Sequence, residues 1–250
     1  MTFAVAAAAL LAGTLIGLTG IGGVLLVPAL TSFSALPLDR AIAASMMGFL
    51  LAGVAAAVVH LRHSSLRTSA LAALCATAAL GAAAGAMTLE LLPPAAVRLF
   101  IAVLALASGL HALVAPAAAP AGRIPSPPAL GALGIAVGYG SAISGTGGPV
   151  LLIPMLLALR TPARSAIALG LAAQVPIVLA ATLVNLHAAR VDFELGGALA
   201  LLLLAGAWVG SATSRRLSAR VATVAVALTL IATGLWYGFA TVAGQASNTP

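Results

Sequence analysis

The sequence predicts an all-α polytopic membrane protein built from two homologous halves. Each half holds one glycine-broken helix and three transmembrane helices, about eight helices in total. Three observations lead to this class. Hydrophobic residues make up 62% of the chain and charged residues only 6%, with a mean hydropathy of +1.20, whereas a soluble domain carries roughly 25% charged residues. Several apolar runs reach the ~20 residues that a spanning helix needs, and they are continuous rather than alternating, which excludes a membrane barrel. Two glycine-rich stretches, TGIGGVLLVP at Thr19–Pro28 and SGTGGPVLLIP at Ser144–Pro154, interrupt such runs at matching places.

Taken in order, Phe3–Leu18 reads as a first apolar helix, followed by the glycine break and a shorter piece, Val24–Phe33. Met1 onward reads as part of this helix, because no charged leader or cleavage site precedes it. Pro37 punctuates, and Asp39 is placed as an N-cap. Spans follow at Ala41–Leu61 and Thr68–Leu89, separated by the polar connection His60, Arg62, His63 and Arg67. Pro94 starts the next span, Ala95–Val114, since proline suits the first helical position. Ala115–Pro128, rich in proline and alanine, reads as a linker. The plan then repeats: Ala129–Ile143, break, Val150–Leu159, Ala163–Leu186, Phe193–Ala212 and Val221–Val242, before a polar tail GQASNTP that is expected to be irregular. The domains are accordingly 1–114, a linker at 115–128, 129–242 and a tail at 243–250.

The duplication can be checked by register. Gly20, Gly22 and Gly23 recur as Gly145, Gly147 and Gly148, a shift of 145 − 20 = 125. At the same shift Pro37 maps to Pro162, Ala41-Ile42-Ala43 to Ala166-Ile167-Ala168, Gly81 and Gly85 to Gly206 and Gly210, and Gly109 to Gly234. Glycine and proline seldom hold one register over such a length by chance. Small residues four apart, as in Gly81/Gly85 and Gly206/Gly210, let helix backbones approach closely and are read as packing.

Two topologies fit the short second piece of each break, a re-entrant hairpin or one tilted, broken span. A single crossing makes the halves parallel and puts Arg40, Arg98, Arg160, Arg164, Arg215, Arg216 and Arg220 on one side. A hairpin makes the halves inverted and puts Arg62, Arg67, Arg123, Arg160, Arg164, Arg215, Arg216 and Arg220 on one side. In both, the termini lie on the arginine-poor side, so the positive-inside tendency places both termini outside the cytoplasm of a cell-membrane protein.

The net charge of +7 is carried wholly by arginines placed singly or in pairs between apolar runs. They read as topology-setting loop charges, and no basic stripe with interleaved aromatics suggests nucleic acid. Cys75 is one cysteine within an apolar run and reads as packing. The glycines lack the third glycine and the βαβ context of a dinucleotide fingerprint, and the chain has no lysine for a P-loop. No cofactor or metal is expected.

The chemistry left at bilayer depth belongs to the breaks. The four acids, Asp39, Glu90, Asp192 and Glu194, fall in or beside loops, so the spans offer no evident carboxylate for a coupling ion. What remains is backbone N–H, the helix N-termini at Val24 and Val150, and the hydroxyls of Thr19, Ser141, Ser144 and Thr146. Helix N-termini and nests of N–H groups bind anions without a side-chain charge. A small oxyanion suits this chemistry, and the candidate substrate-binding residues are Thr19, Gly20, Gly22, Gly23, Ser144, Gly145, Thr146, Gly147, Gly148 and Gln174. Gln174 is the one large amide inside a span and precedes Pro176; Ser45 and Gly170 are its neighbours by register. It is equally suited to substrate contact or an interhelix hydrogen bond. His60 and Asn185, matched at the shift of 125 near the ends of equivalent helices, read as snorkelling interfacial groups ahead of a pore-mouth role. The expected partners are a small anionic substrate and the lipid bilayer, with a homodimer as a further candidate. The competing readings are an intramembrane serine protease, using Ser144 with His187, and a structural membrane subunit.

At Gly20-Ile21-Gly22-Gly23 with Pro28, and Gly145-Thr146-Gly147-Gly148 with Pro154, the chain resembles the sulfite exporter TauE/SafE family of transporters. Members have two related halves, each opening with a glycine-rich stretch followed by a proline, and the Pro37…Ala41-Ile42-Ala43 stretch with its copy at Pro162 strengthens the likeness. The resemblance covers nearly the whole chain. It implies export or uptake of small sulfur-containing anions such as sulfite, sulfoacetate or another organosulfonate.

Overall fold

The computed structural model describes residues 1–61, 68–114, 122–214 and 218–246. Among these it holds ten α-helices and no strand: α1 Phe3–Thr19, α2 Leu26–Phe33, α3 Leu38–Leu61, α4 Thr68–Thr88, α5 Pro94–Val114, α6 Pro127–Ser144, α7 Pro149–Ala158, α8 Ala163–His187, α9 Phe193–Ser214 and α10 Ala219–Ala246. Single 3₁₀ turns at Gly23–Leu25 and Leu89–Leu91 precede α2 and follow α4. Six helices (α3, α4, α5, α8, α9 and α10) are long and apolar enough to cross a membrane. Counting each broken element once gives the expected eight; counting its two pieces gives ten.

Boundaries differ from expectation in three places. Asp39 lies inside the first turn of α3 and is not its N-cap; its carboxylate meets the positive end of the helix dipole from within. The linker ends earlier than Pro128, because α6 starts at Pro127, where proline's fixed φ suits the first turn. Nothing in Gly244-Gln245-Ala246 stops a helix in progress, so α10 extends through residues expected to be irregular. Arg62, His63, Arg67, Arg215, Arg216, most of the linker and Ser247–Pro250 lie outside the described residues, as does the side chain of His60.

Both glycine stretches break the helix and reverse the chain. Gly20 takes the left-handed conformation (φ 81°) and its N–H still reaches Ile16 O, ending α1. The chain then folds back: a methyl group at Gly22 would sit 2.7 Å from Ala12 O and 3.0 Å from Ile16 N. In the second half Gly145 (φ 69°) ends α6, and Ser141 O accepts from both Gly145 N and Thr146 N. Gly148 (φ 117°) has by then returned beside the Ser141 side chain.

Close glycine contacts set the helix directions. On α1 and α9, a side chain at Gly13 or Gly17 would collide with the carbonyl oxygens of Leu203 and Ala207, and one at Gly206 or Gly210 with those of Leu10 and Thr14. Numbers rise together, so the two helices are parallel. The same holds for α4 and α6, where Gly81 meets Ile135 O, Gly85 meets Tyr139 O and Gly138 meets Ala78 O. On α5 and α10 the numbers run oppositely: Gly109 faces Ala227 and Ile231, while Gly234 faces Ala102 and Leu106. Helix α3 is parallel to α9, with Met47 on Gly196 and Ala55 level with Ala207. It is antiparallel to α8, with Gln174 on Gly53 and Ile167 level with Ala56.

Helices α1 and α3 therefore point the same way, so the piece between them returns the chain to its starting side. Of the two topologies open to the sequence, the geometry is that of a hairpin plus three crossings in each half, with equivalent helices α3 and α8 opposed. The first helix of each half packs along the fourth helix of the other, α1 on α9 and α6 on α4.

Gly210→Leu and Gly138→Leu should each force a parallel helix pair apart. Overpacking of this kind costs about 1–3 kcal/mol, read as a lowered unfolding midpoint in detergent. Gly197→Leu, at a glycine with nothing within 4 Å of its would-be side chain, should leave the midpoint unchanged.

Candidate functional site

The two hairpin tips touch. A methyl group at Gly23 would lie 2.6 Å from Thr146 O and 3.0 Å from the Phe49 ring. The contacts repeat across the halves: Gly145 packs on Val27 and Ile42, and Gly20 packs on Ile153 and Ile167, the counterpart of Ile42 at the shift of 125. At the centre stand Phe49 and Gln174, themselves counterparts at that shift, near the midpoints of α3 and α8. The Gln174 Nε2 donates to Phe49 O at 3.5 Å, and Gly147 lies against both side chains. The local two-fold relation thus passes through this pair, at mid-depth of the two central helices. Phe49 was not singled out from sequence, although subtracting 125 from Gln174 leads to it.

Of the donors the sequence offers here, three hydroxyls already have partners on the hairpins. Ser144 Oγ donates to Gly140 O at 2.7 Å, which leaves Thr146 Oγ1 to donate to Ser144 Oγ at 3.0 Å. Thr19 Oγ1 is 3.1 Å from Leu15 O and 3.3 Å from Ile21 O, and accepts from Ile21 N. These hydroxyls spend their protons on the hairpins themselves, as short polar side chains do near a helix end. They shape the turns. Among the described residues, no acceptor pairs with the N–H groups of Gly22, Gly23, Gly147 or Gly148. Ser141 Oγ is also buried beside Gly148 with no partner. Groups of this kind in a bilayer are tolerated where they face a wet cavity or a ligand. The Ser144 hydroxyl has its partners in Gly140 and Thr146, and His187 is exposed at the end of α8.

Access to the two tips is unequal. A cavity of about 330 Å³ reaches Thr19 and Gly20, between Ala52, Leu171, Trp208 and Ser211. The counterparts around the second tip are Ser144, Gly145, Ile177, Met46, Ala83 and Ala86; all but Ala83 are buried. Ile177 occupies the position of Ala52, and its Cδ1 would come within 2.8 Å of a methyl group at Gly148.

Below the second tip the structure corrects two expectations. Asn185 does not snorkel: it is fully buried and its Oδ1 accepts from Arg190 Nη1 at 3.0 Å. Arg190 is no loop charge either. A tight turn at Ala189 (φ 54°), with Arg190 N bonded to Asn185 O, folds it back over the end of α8. There its Nη1 caps Ala86 O at 3.1 Å and its Nη2 pairs with Glu90. Two helix C-termini, α4 and α8, converge at this point, and the negative ends of their dipoles favour a cation.

The family model described as Sulfite exporter TauE/SafE matches residues 5–237. The match takes in both hairpins, the Phe49–Gln174 pair and the Arg190 cluster. Among curated proteins and solved structures none matches this chain. With six apolar helices long enough to span a bilayer and a family match over nearly its whole length, the chain belongs to the sulfite exporter TauE/SafE family of membrane transporters.

Proposed function

We propose that this transporter carries a small oxyanion, such as sulfite, sulfoacetate or another organosulfonate, across the cell membrane through the paired hairpin tips. The observation that carries the reading is the meeting of two glycine hairpins at mid-depth with their N–H groups unpaired. The anion is held by the N–H groups of Gly22, Gly23, Gly147 and Gly148, by Gln174 Nε2 and by Ser141 Oγ. Thr19, Ser144 and Thr146 hold the hairpins in shape, and Gly20 and Gly145 allow the chain to turn. The family name supports sulfur oxyanions as the class.

The topology supports export. Among the described residues, the side away from the termini carries Arg123, Arg160, Arg164 and Arg220, against Arg40, Arg98 and Arg190 on the other. The positive-inside tendency makes the first side cytoplasmic and both termini external. The cavity at Thr19 is lined by the cytoplasmic-side halves of α3, α8 and α9, which supports loading from within. An exiting monovalent anion gains about 2.3 kcal/mol per 100 mV of inside-negative potential, which drives export without a coupling ion.

Proteoliposomes should show saturable flux of sulfite or sulfoacetate. Gly23→Ala wedges the tips apart, and Gly148→Ala forces a side chain into a left-handed conformation that costs about 1–3 kcal/mol; each should lower flux at least tenfold while the protein remains inserted. Wild-type flux in both variants would remove the tips from the mechanism. In a Cys75→Ala background, Thr19→Cys should react with an impermeant thiol reagent from the cytoplasmic side, and single cysteines at Thr2 or Ser247 only from outside. Cytoplasmic labelling of the termini would reverse the assigned direction.

A further inference from the structure

We infer that Arg190 and Asn185 form a second anion station at the closed end of the route, and that Glu90 is the tethered anion that fills it while that end is shut. The part concerning the route rests on the reading of the tips as a transport site; the anion binding itself does not.

The station lies close to the second tip. Gly85 packs on Tyr139 O and on Ala142 Cβ, so Ala86, which Arg190 caps, is level with the last turn of α6, about one helical turn from Ser144. The guanidinium lies on the side of the terminal loops, where Arg190 follows α8 and Glu90 follows α4. A substrate leaving Ser144 between α4, α6 and α8 for the terminal side would pass this cluster.

Capping explains only part of the arrangement. The Arg190 Nη1 caps the end of α4 at Ala86 O and holds the Asn185 side chain through Oδ1. Arg190 Nε and Asn185 Nδ2 are also buried, yet have no partner. Both are donors, one on a cation, and leaving such groups buried and unpaired is costly. Their common complement is an acceptor-only group with several oxygens, the chemistry of a sulfonate, sulfite or carboxylate. Glu90 supplies one such group, but its side chain is 67% exposed whereas Arg190 is 6% exposed. The cation is thus fixed and sheltered, while its anion is held from the water side on a single 3₁₀ turn and is free to leave. An outgoing oxyanion that takes Glu90's place opens the clasp as it passes; the return of Glu90 expels it and shuts the end again.

Removing the tethered anion should turn the station into a site for a free one. The probes are acetate and methanesulfonate, compared with chloride at equal ionic strength, and the readout is the unfolding midpoint of detergent-purified protein. Glu90→Ala should start lower than wild type and gain about 3 °C more than wild type from either probe. Glu90→Ala/Arg190→Gln should lose that gain. An equal response of wild type and Glu90→Ala to the probes would overturn the station, and so would a gain that survives in the double variant. Glu90→Gln, which keeps the side-chain volume, provides the same comparison if Glu90→Ala does not accumulate. For the route, Ser144→Cys in a Cys75→Ala background should react at least tenfold faster from the terminal side when Glu90 is replaced. Unchanged labelling alongside intact anion rescue would keep the station and remove it from the pathway, a result separate from any absence of sulfite flux.

Discussion

Inside a bilayer no water is at hand to complete a broken hydrogen bond, and the structure is arranged around that constraint. Where a helix loses a donor, a neighbouring element supplies one. Pro176 lies inside α8 and has no N–H for Ala172 O, and the Cys75 thiol on α4 donates to that oxygen at 3.8 Å. Pro154 likewise deprives Val150 O of its partner in α7, and Ser108 Oγ on α5 donates to it at 3.2 Å. Against this background the unpaired N–H groups at the two hairpin tips stand out. The protein repairs its incidental breaks and leaves these unrepaired.

Glycine serves two different ends in the same chain. At the tips it provides positive φ and room for two backbones to meet. Along α1–α9 and α4–α6 it removes the side chains that would hold parallel helices apart, so carbonyl oxygens of one helix lie where the β-carbons of the other would be. The second use secures the first. Each hairpin hangs from a helix gripped by the opposite half, which fixes the two tips against each other across Phe49 and Gln174.

Much of this was legible in the residues. Composition and run length sufficed for the membrane class, and the shift of 125 exposed the repeated plan. The positions of both breaks follow from glycine alone. Their reversal did not follow, because a ten-residue apolar piece reads the same whether it turns back or continues; the packing separates the two, with α1 and α3 both parallel to α9 and Gly22 folded back onto Ala12. The hydroxyls were legible as polar groups at the right depth but not as groups already committed to Gly140, Leu15 or Ile21. Arg190 was hidden for a different reason. An arginine three residues past a helix end reads as a loop charge, and its burial depends on a turn at Ala189 and on the approach of α4, a helix about a hundred residues earlier in the chain.

The cross-packing of the halves also has a bearing on biosynthesis. Helix α1 leaves the ribosome well before α9, and the surface it fits, around Gly206 and Gly210, is made some 193 residues after Gly13. At typical translation speeds of about 5–20 residues per second, the first hairpin waits roughly 10–40 s in the insertion machinery or the lipid before its partner arrives. The first half on its own would leave the glycine face of α1 uncovered, so the nascent chain reaches this packing only once α9 is delivered.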